Sequence, residues 1–340
     1  LPDTLSSISD YAFAWNYSLE SIALPDGISQ IGEHVFEGYL DSLKLYSTKG
    51  SVTQATLTEH GYPVSVPAPT HPDYTFEYNE TLDALILTAY TGSDTAIEVP
   101  ASVDDIPVTA IGDGAFAQNT TLTRVTLPEG TVSIGDRAFY HCSGLNSVSL
   151  PDGIASIGSE VFAGCRRLRS IALPSGITDI AGSAFYECTS LLSVTLPDML
   201  MTIGNNAFYG CARLQSVALP SGVKSIGEGA FSGCKALASI SMPETMENIE
   251  RGAFYDCQAL EAIVVPQGIA RIQEETFSSC YALASVSLPD GLVSIEERAF
   301  SSCGNLTNVI LPDTLTQIGG SAFSSCGSLT EIVLPDGVVS

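Results

Sequence analysis

Apolar and polar residues alternate along this chain in short bursts that repeat. In "CSGLNSVSLPDGIASIGSEVFAGC", residues 142–165, Val148 and Leu150 alternate with Ser147 and Ser149. That period of two predicts a short strand with Leu145, Val148 and Leu150 facing inward. Pro151 cannot donate to a ladder and ends the strand, and Asp152-Gly153 supplies a turn. Ile154 and Ile157 return apolar side chains along a second short segment, Gly158 permits the next bend, and the residue pair ending in Phe162 fills the far side of the coil. The same phrase recurs as "SIGDRAFYHC" at 133–142 and "TIGNNAFYGC" at 202–211. Phe116, Phe139, Phe162, Phe185, Phe208, Phe231, Phe254, Phe277, Phe300 and Phe323 are each 23 residues apart, and Pro128, Pro151, Pro174, Pro197 and Pro220 keep the same interval. A fixed period of this length predicts a solenoid, because one unit buries its apolar side only by stacking on the next. Parallel strands about 4.8 Å apart make ten such units a curved rod on the order of 50 Å long.

The repeated unit, C-x-x-L-x-S-V-x-L-P-x-G-I-x-x-I-G-x-x-A-F-x-x, resembles the BspA-like leucine-rich repeats, also called the Treponema pallidum type, over almost the whole chain. The resemblance implies a leucine-rich-repeat solenoid: a right-handed coil of 23-residue repeats with a parallel β-sheet on one face and few helices. It further implies a cell-surface or secreted protein of a host-associated bacterium, a family in which some members are adhesins for matrix proteins such as fibronectin and fibrinogen.

The rhythm breaks once. Phe13 and Phe36 keep the interval, but Phe36 and Phe116 are 80 residues apart, which is no multiple of 23. Residues 43–66 read as strand, short helix and strand, with Ser51 the helix N-cap, Gly61 its stop and Pro63 opening the last strand. This segment is similar to the one that closes many arrays of the family. "PAPTHP", 67–72, reads as a stiff linker, and 74–100 as a hairpin turning near Asn79 to Asp83. The expected organisation is therefore the end of a first array with its closing cap (1–66), a linker (67–72), and a second array of about ten repeats with an N-terminal hairpin cap (73–340), cut off at its C-terminus. The alternative is one continuous rod with a surface insertion.

Charge narrows the partners. The chain carries 38 acidic and 13 basic residues, a formal net charge of −25. Such a surface argues against nucleic acid and anionic membranes, which need clustered Lys and Arg, and no apolar run is long enough to span a bilayer. The expected partner is a protein, such as a host extracellular-matrix protein, or a glycan.

All nine cysteines, Cys142, Cys165, Cys188, Cys211, Cys234, Cys257, Cys280, Cys303 and Cys326, occupy one repeat position, where earlier units place Asn119, Asn16 and Tyr39. Side-by-side Cβ atoms at strand spacing suit neither the roughly 3.8 Å of a disulfide nor tetrahedral zinc. The expectation is a structural ladder of Phe and Cys filling the inner wall, with no metal and no cofactor. The histidines, His34, His60, His71 and His141, are scattered, and no catalytic or phosphate-binding motif occurs; no enzyme activity is expected.

Three surfaces remain. The outward sheet positions, from Arg124 and Thr126 to Glu331 and Val333, are mostly Ser, Ala and Thr and lack the aromatic anchors of binding hot spots. The residue after the repeat Phe varies more: Tyr140, Tyr186, Tyr209 and Tyr255 alternate with Ala163, Ser232 and Ser278, forming a candidate partner-contact edge or only a cover for the coil. A row of turn carboxylates (Asp152, Asp198, Glu244, Asp290, Asp313 and Asp336) serves solubility and turn formation, with calcium bridging as the alternative. The functional expectation is a non-enzymatic, exported repeat surface for binding protein or glycan; the alternative is a spacer holding other domains away from the envelope.

Overall fold

A turn of this chain begins with a strand of three residues, because only a short alternating run fits between the leucine that starts it and the proline that stops it. In the computed structural model, which describes residues 1–38, 40, 42–68 and 70–339, Arg124–Thr126 pairs in parallel with Ser147–Ser149, so that Arg124 faces Ser147 and Val125 faces Val148. Ser170–Ala172 with Ser193–Thr195 and Ser216–Ala218 with Ser239–Ser241 repeat the arrangement, each residue opposite the one 23 positions on. The second segment of each turn also pairs. Ser133–Ile134 lies parallel to Ser156–Ile157, and Asp179–Ile180, Thr202–Ile203, Ser225–Ile226 and Asn248–Ile249 form a four-strand ladder. A second parallel face thus accompanies the expected one.

The segment carrying the phenylalanine is not a strand, yet it is hydrogen-bonded just as regularly. Arg137 and His141 have φ of 57° and 55°, left-handed values that L residues adopt at some cost. Between them, alternate backbone N–H groups point down the stack. Arg137, Phe139 and His141 donate to the carbonyls of Ser159, Val161 and Ala163 at 2.9, 2.8 and 2.7 Å. Left-handed residues recur at the same two places in the following turns, at Glu160 and Gly164 and at Ser183 and Glu187. Buried backbone groups must be satisfied, and here each turn satisfies its neighbour.

Side chains add a further link. Asp136 Oδ1 accepts the N–H of Ser159 in the next turn at 2.7 Å, and Asn205 does the same for Glu228 at 2.9 Å. This fixes the role of Gly158. The sequence reading gave it a bend, but its φ is not left-handed; a Cβ there would lie 2.5 Å from both the N and Oδ1 of Asp136. The glycine makes room for the link.

The core is a file of rings. From Phe116 to Phe323, successive phenylalanines stack with centroids 4.9–5.5 Å apart and planes within 3–15° of parallel. Those from Phe116 to Phe300 are fully buried, and Phe323 is half-buried. Parallel rings at this centroid distance are offset, the arrangement their quadrupoles favour.

The described chain divides into two units. One comprises residues 1–71, 76–85 and 104–106, the other 72–75, 86–103 and 107–340. In the first, strands Ser21–Ala23, Lys44–Tyr46 and Val64–Ser65 pair in parallel around helix Val52–Glu59. Ser51 is the N-cap, its side chain accepting from Gln54 N, and the chain leaves the helix through Gly61 at φ 75°. Leu57 packs into a core with Ile28, Val35 and Phe36. Tyr74–Asn79 and Ala84–Tyr90 are the two strands of the expected hairpin segment. Asn79 Oδ1 accepts from Thr81 and Leu82 N in the connection, each at 3.1 Å. Tyr39, at the earliest cysteine-equivalent position, and Pro69, in the expected linker, lie outside the described residues.

Candidate interaction surface

A row of nine thiols is the strongest chemical signal in the chain. All are free, and eight are buried. Each donates to the carbonyl of the phenylalanine one turn back, as Cys142 does to Phe116 at 3.0 Å and Cys211 to Phe185 at 3.2 Å. That carbonyl also accepts a backbone N–H from its own turn, Cys188 N to Phe185 O at 3.1 Å. The sulfur therefore serves the carbonyl's second lone pair and ties adjacent turns together. Burial pushes the Cys142, Cys188 and Cys303 thiols up to about 12 and those of Cys165, Cys211, Cys257 and Cys280 well above their ordinary value. A thiol held protonated is a poor nucleophile and a poor metal ligand. Asparagine at the same position works differently: Asn119 Oδ1 accepts from Thr121 and Leu122 N within its own turn, and Asn16 donates to Phe13 O.

The histidines are engaged separately. His34 stacks on Tyr11 at 5.1 Å, His60 Nδ1 lies 2.8 Å from Thr56 O, and His141 packs edge-on against Tyr140 at 4.3 Å. Among the described residues, no group of three or more His, Cys, Asp or Glu is placed to hold a metal ion, the turn carboxylates included.

On the strand face, the outward serines are exposed, and Val264 stands among them at 65% exposure. Ile310 and Val333, at 79% and 71%, continue the row beyond the last paired strand, where the expected sheet is reduced to an isolated bridge between Ser285 and Asn308 and then, among the described residues, to no strand. Sequence reading took this face as mostly Ser, Ala and Thr; these three apolar residues interrupt it toward the C-terminal side.

The tyrosine edge is more structured. Tyr186 and Tyr209, in adjacent turns, stack at 4.8 Å with planes 5° apart. Tyr209 and Tyr255 are exposed, while Tyr140 and Tyr186 are half-buried. Burial raises the Tyr186 hydroxyl above its ordinary value, with Tyr209 and Glu187 contributing. The guanidinium carbon of Arg137 stands 5.6 Å from the centroid of the Tyr140 ring. The four tyrosines do not form one file, because Ala163 separates Tyr140 from Tyr186 and Ser232 separates Tyr209 from Tyr255. Beside Ala163 is a recess of about 170 Å³, bordered by Tyr140, His141, Tyr186, Glu160 and Glu187, with the His141 ring set over Gly164. Its sequence signal was an alanine at a place where three neighbouring units carry tyrosine.

A second exposed aromatic group escaped the sequence reading. Tyr11, Trp15 and Tyr17 in the first unit are 53%, 56% and 69% exposed, with Trp15 6.4 Å from Tyr17. Trp15 lies over Gly38, where a Cβ would come within 2.6 Å of the indole. The chain's single tryptophan was the available signal.

The sequence profile described as the BspA type leucine rich repeat region matches in six copies, over residues 1–59, 109–237 and 224–340. The unmatched stretch, 60–108, falls within the break in the 23-residue rhythm. The curated proteins give no match. Among solved structures, the chain is similar to a leucine rich cell surface protein from Faecalibacterium prausnitzii, with 28% identity and a TM-score of 0.45 over 78% of this chain and 94% of that one. It is also similar to a leucine-rich repeat protein from Bacteroides ovatus (24% identity, TM-score 0.46, 77% of this chain and 93% of that one). A third similarity is to the leucine rich repeat protein of T. pallidum (26% identity, TM-score 0.39, 71% and 91%).

Proposed function

The chain belongs to the BspA-type leucine-rich-repeat family, and from that premise we propose that it is a non-catalytic scaffold, displayed outside the bacterial cell, whose tyrosine edge contacts a protein or glycan of the host. The observation that carries this reading is the Tyr186–Tyr209 pair, two rings stacked at 4.8 Å on the outer edge of adjacent turns. Tyrosine offers large, rigid contact area at low entropic cost and is enriched at binding hot spots. The repeat lattice holds the rings in place before any partner arrives, which lowers the ordering cost of association. A net charge of −25 favours partners with basic surfaces and disfavours nucleic acid. No helix among the described residues is long and apolar enough to cross a membrane.

The test is a binding titration of the chain against fibronectin, fibrinogen and a mucin-glycan panel, at physiological and at about threefold higher salt. Tyr186→Ala with Tyr209→Ala is the informative variant, because Ala163 occupies the same position in a neighbouring turn and the fold accepts it. The expected outcome is saturable binding to one partner that the double variant loses. Saturable binding that the double variant keeps would refute the tyrosine edge. No saturable partner, with the chain replaceable by another rod of equal length, would favour the spacer reading.

A further inference from the structure

We propose that the recess beside Ala163 is a socket for the guanidinium group of an arginine side chain on a protein partner. This rests on the reading of the tyrosine edge as a contact surface and names what that edge recognises.

The socket is a ring missing from a stack. Tyr186 and Tyr209 show the spacing that tyrosines reach in adjacent turns, 4.8 Å and nearly parallel. Ala163 stands between Tyr140 and Tyr186 with only a methyl group, itself 2% exposed. Beneath them the phenylalanines advance 5.2 Å from Phe139 to Phe162 and 5.5 Å from Phe162 to Phe185. Tyr140 and Tyr186 are thus attached two steps apart. The His141 ring, 4.3 Å from that of Tyr140 and set over Gly164, borders the space between them on the Tyr140 side, and the face left for an occupant is that of Tyr186. The volume left, about 170 Å³, is open at the surface.

Its rim selects the occupant. Glu160 receives Arg137 through both oxygens, Nε at 3.1 Å and Nη2 at 2.7 Å, which fixes the carboxylate in place. Glu187 uses Oε2 on Arg166 at 2.8 Å, and its Oε1 has no partner among the described residues. An occupant that is planar, cationic and rich in N–H donors satisfies both features: it lies on the free face of Tyr186 and donates to Glu187. Guanidinium has that shape, whereas a lysine ammonium is a hydrated point charge with no face to stack. The edge already carries one such contact, Arg137 against Tyr140. The net charge of −25 draws basic partners toward the chain at long range. A sugar would stack on the tyrosine faces and donate a hydroxyl to Glu187, but it brings no positive charge to the carboxylate.

The experiment uses the whole chain and small probes. N-acetyl-arginine methylamide, its uncharged citrulline counterpart and methyl β-glucoside are titrated while tyrosine-ring NMR signals are followed. The arginine probe is expected to shift the Tyr140 and Tyr186 signals saturably, and citrulline to bind at least about tenfold more weakly because the charge-assisted bonds are lost. Ala163→Tyr fills the socket with the residue this position carries in neighbouring turns, and is expected to abolish the shift while the melting temperature holds. Should that variant fold poorly, Glu187→Gln is expected to weaken the arginine probe about three- to tenfold. Equal binding of citrulline, preferential binding of the glucoside, or an unchanged affinity in a folded Ala163→Tyr chain would overturn the proposal. The contact-surface reading fails separately: a probe that binds the parent chain while the Tyr186→Ala/Tyr209→Ala chain still captures its partner leaves an arginine-binding recess but removes that reading, and with it the partner as the source of the arginine. A silent probe with partner binding lost in the double variant removes the socket alone.

Discussion

Replacing Cys211 by serine tests what the thiol ladder is for. Cys211 is completely buried, and its sulfur lies 3.2 Å from the Phe185 carbonyl, which also receives Cys188 N. Serine keeps a donor, so the carbonyl is not abandoned. But the shorter C–O bond draws the oxygen back from the carbonyl, while a hydroxyl bond favours about 2.7–2.8 Å. The turns cannot close to meet it, because stacked Phe185 and Phe208 hold them at a 5.2 Å ring spacing. A buried hydroxyl with a stretched bond should cost about 1–3 kcal/mol. Cys211→Ala buries no polar group and leaves a void of one heavy atom, about 1 kcal/mol in transfer and cavity terms. The expected order of stability is therefore Cys, then Ala, then Ser. The assay is urea unfolding of the three chains, with both midpoint and slope compared, since a stack of repeats need not unfold in one step. A serine chain as stable as the parent, or more stable than the alanine chain, would refute the reasoning: the turns would then be compliant, and sulfur would hold no special fit.

Phe208→Ala removes one ring from between two neighbours at 5.2 Å and should cost about 3–5 kcal/mol by the same unfolding assay. The thiols also set an alkaline limit. Below about pH 9 the folded and unfolded chains both keep these protons, but above it the unfolded chain releases them while the folded Cys142, Cys188 and Cys303 hold theirs to about 12. Stability should fall as pH rises through that window, by up to about 1.4 kcal/mol per pH unit per thiol. A melting temperature that stays flat from about pH 8 to 11 would contradict this, and replacing those three cysteines by alanine should soften the slope. Gly158→Ala places a Cβ against Asp136 and should cost about 1–3 kcal/mol of unfolding free energy. Ser302→Gly should do the reverse, raising the unfolding free energy by about 0.5–1 kcal/mol, because Ser302 sits at φ 64°, where only glycine is free of penalty.

Much of the fold was legible because in a solenoid the long-range neighbour of a residue is the residue one period on. Finding the interval of 23 between Phe139 and Phe162 was therefore the same as finding their contact. The period-two alternation of Ser147, Val148 and Ser149 gave the strand, Pro151 its end, and Ser51 and Gly61 the limits of the single described helix. Sequence pattern alone also separated the regular turns from the break before Phe116. What it could not supply were relations between side chains in adjacent turns, which depend on height and direction as well as spacing. The row of cysteines was visible, but that each thiol completes a phenylalanine carbonyl one turn back was not. The four tyrosines were visible too, yet only the stacked turns decided that Tyr186 meets Tyr209 while Ala163 leaves a gap beside Tyr140. Gly158 owes its place to Asp136 in the neighbouring turn, a reason no reading of its own segment contains. The sequence determined the repeat, because one short apolar code written many times has a single way to bury itself; the tertiary stack decided the surface chemistry, because that chemistry belongs to pairs of turns.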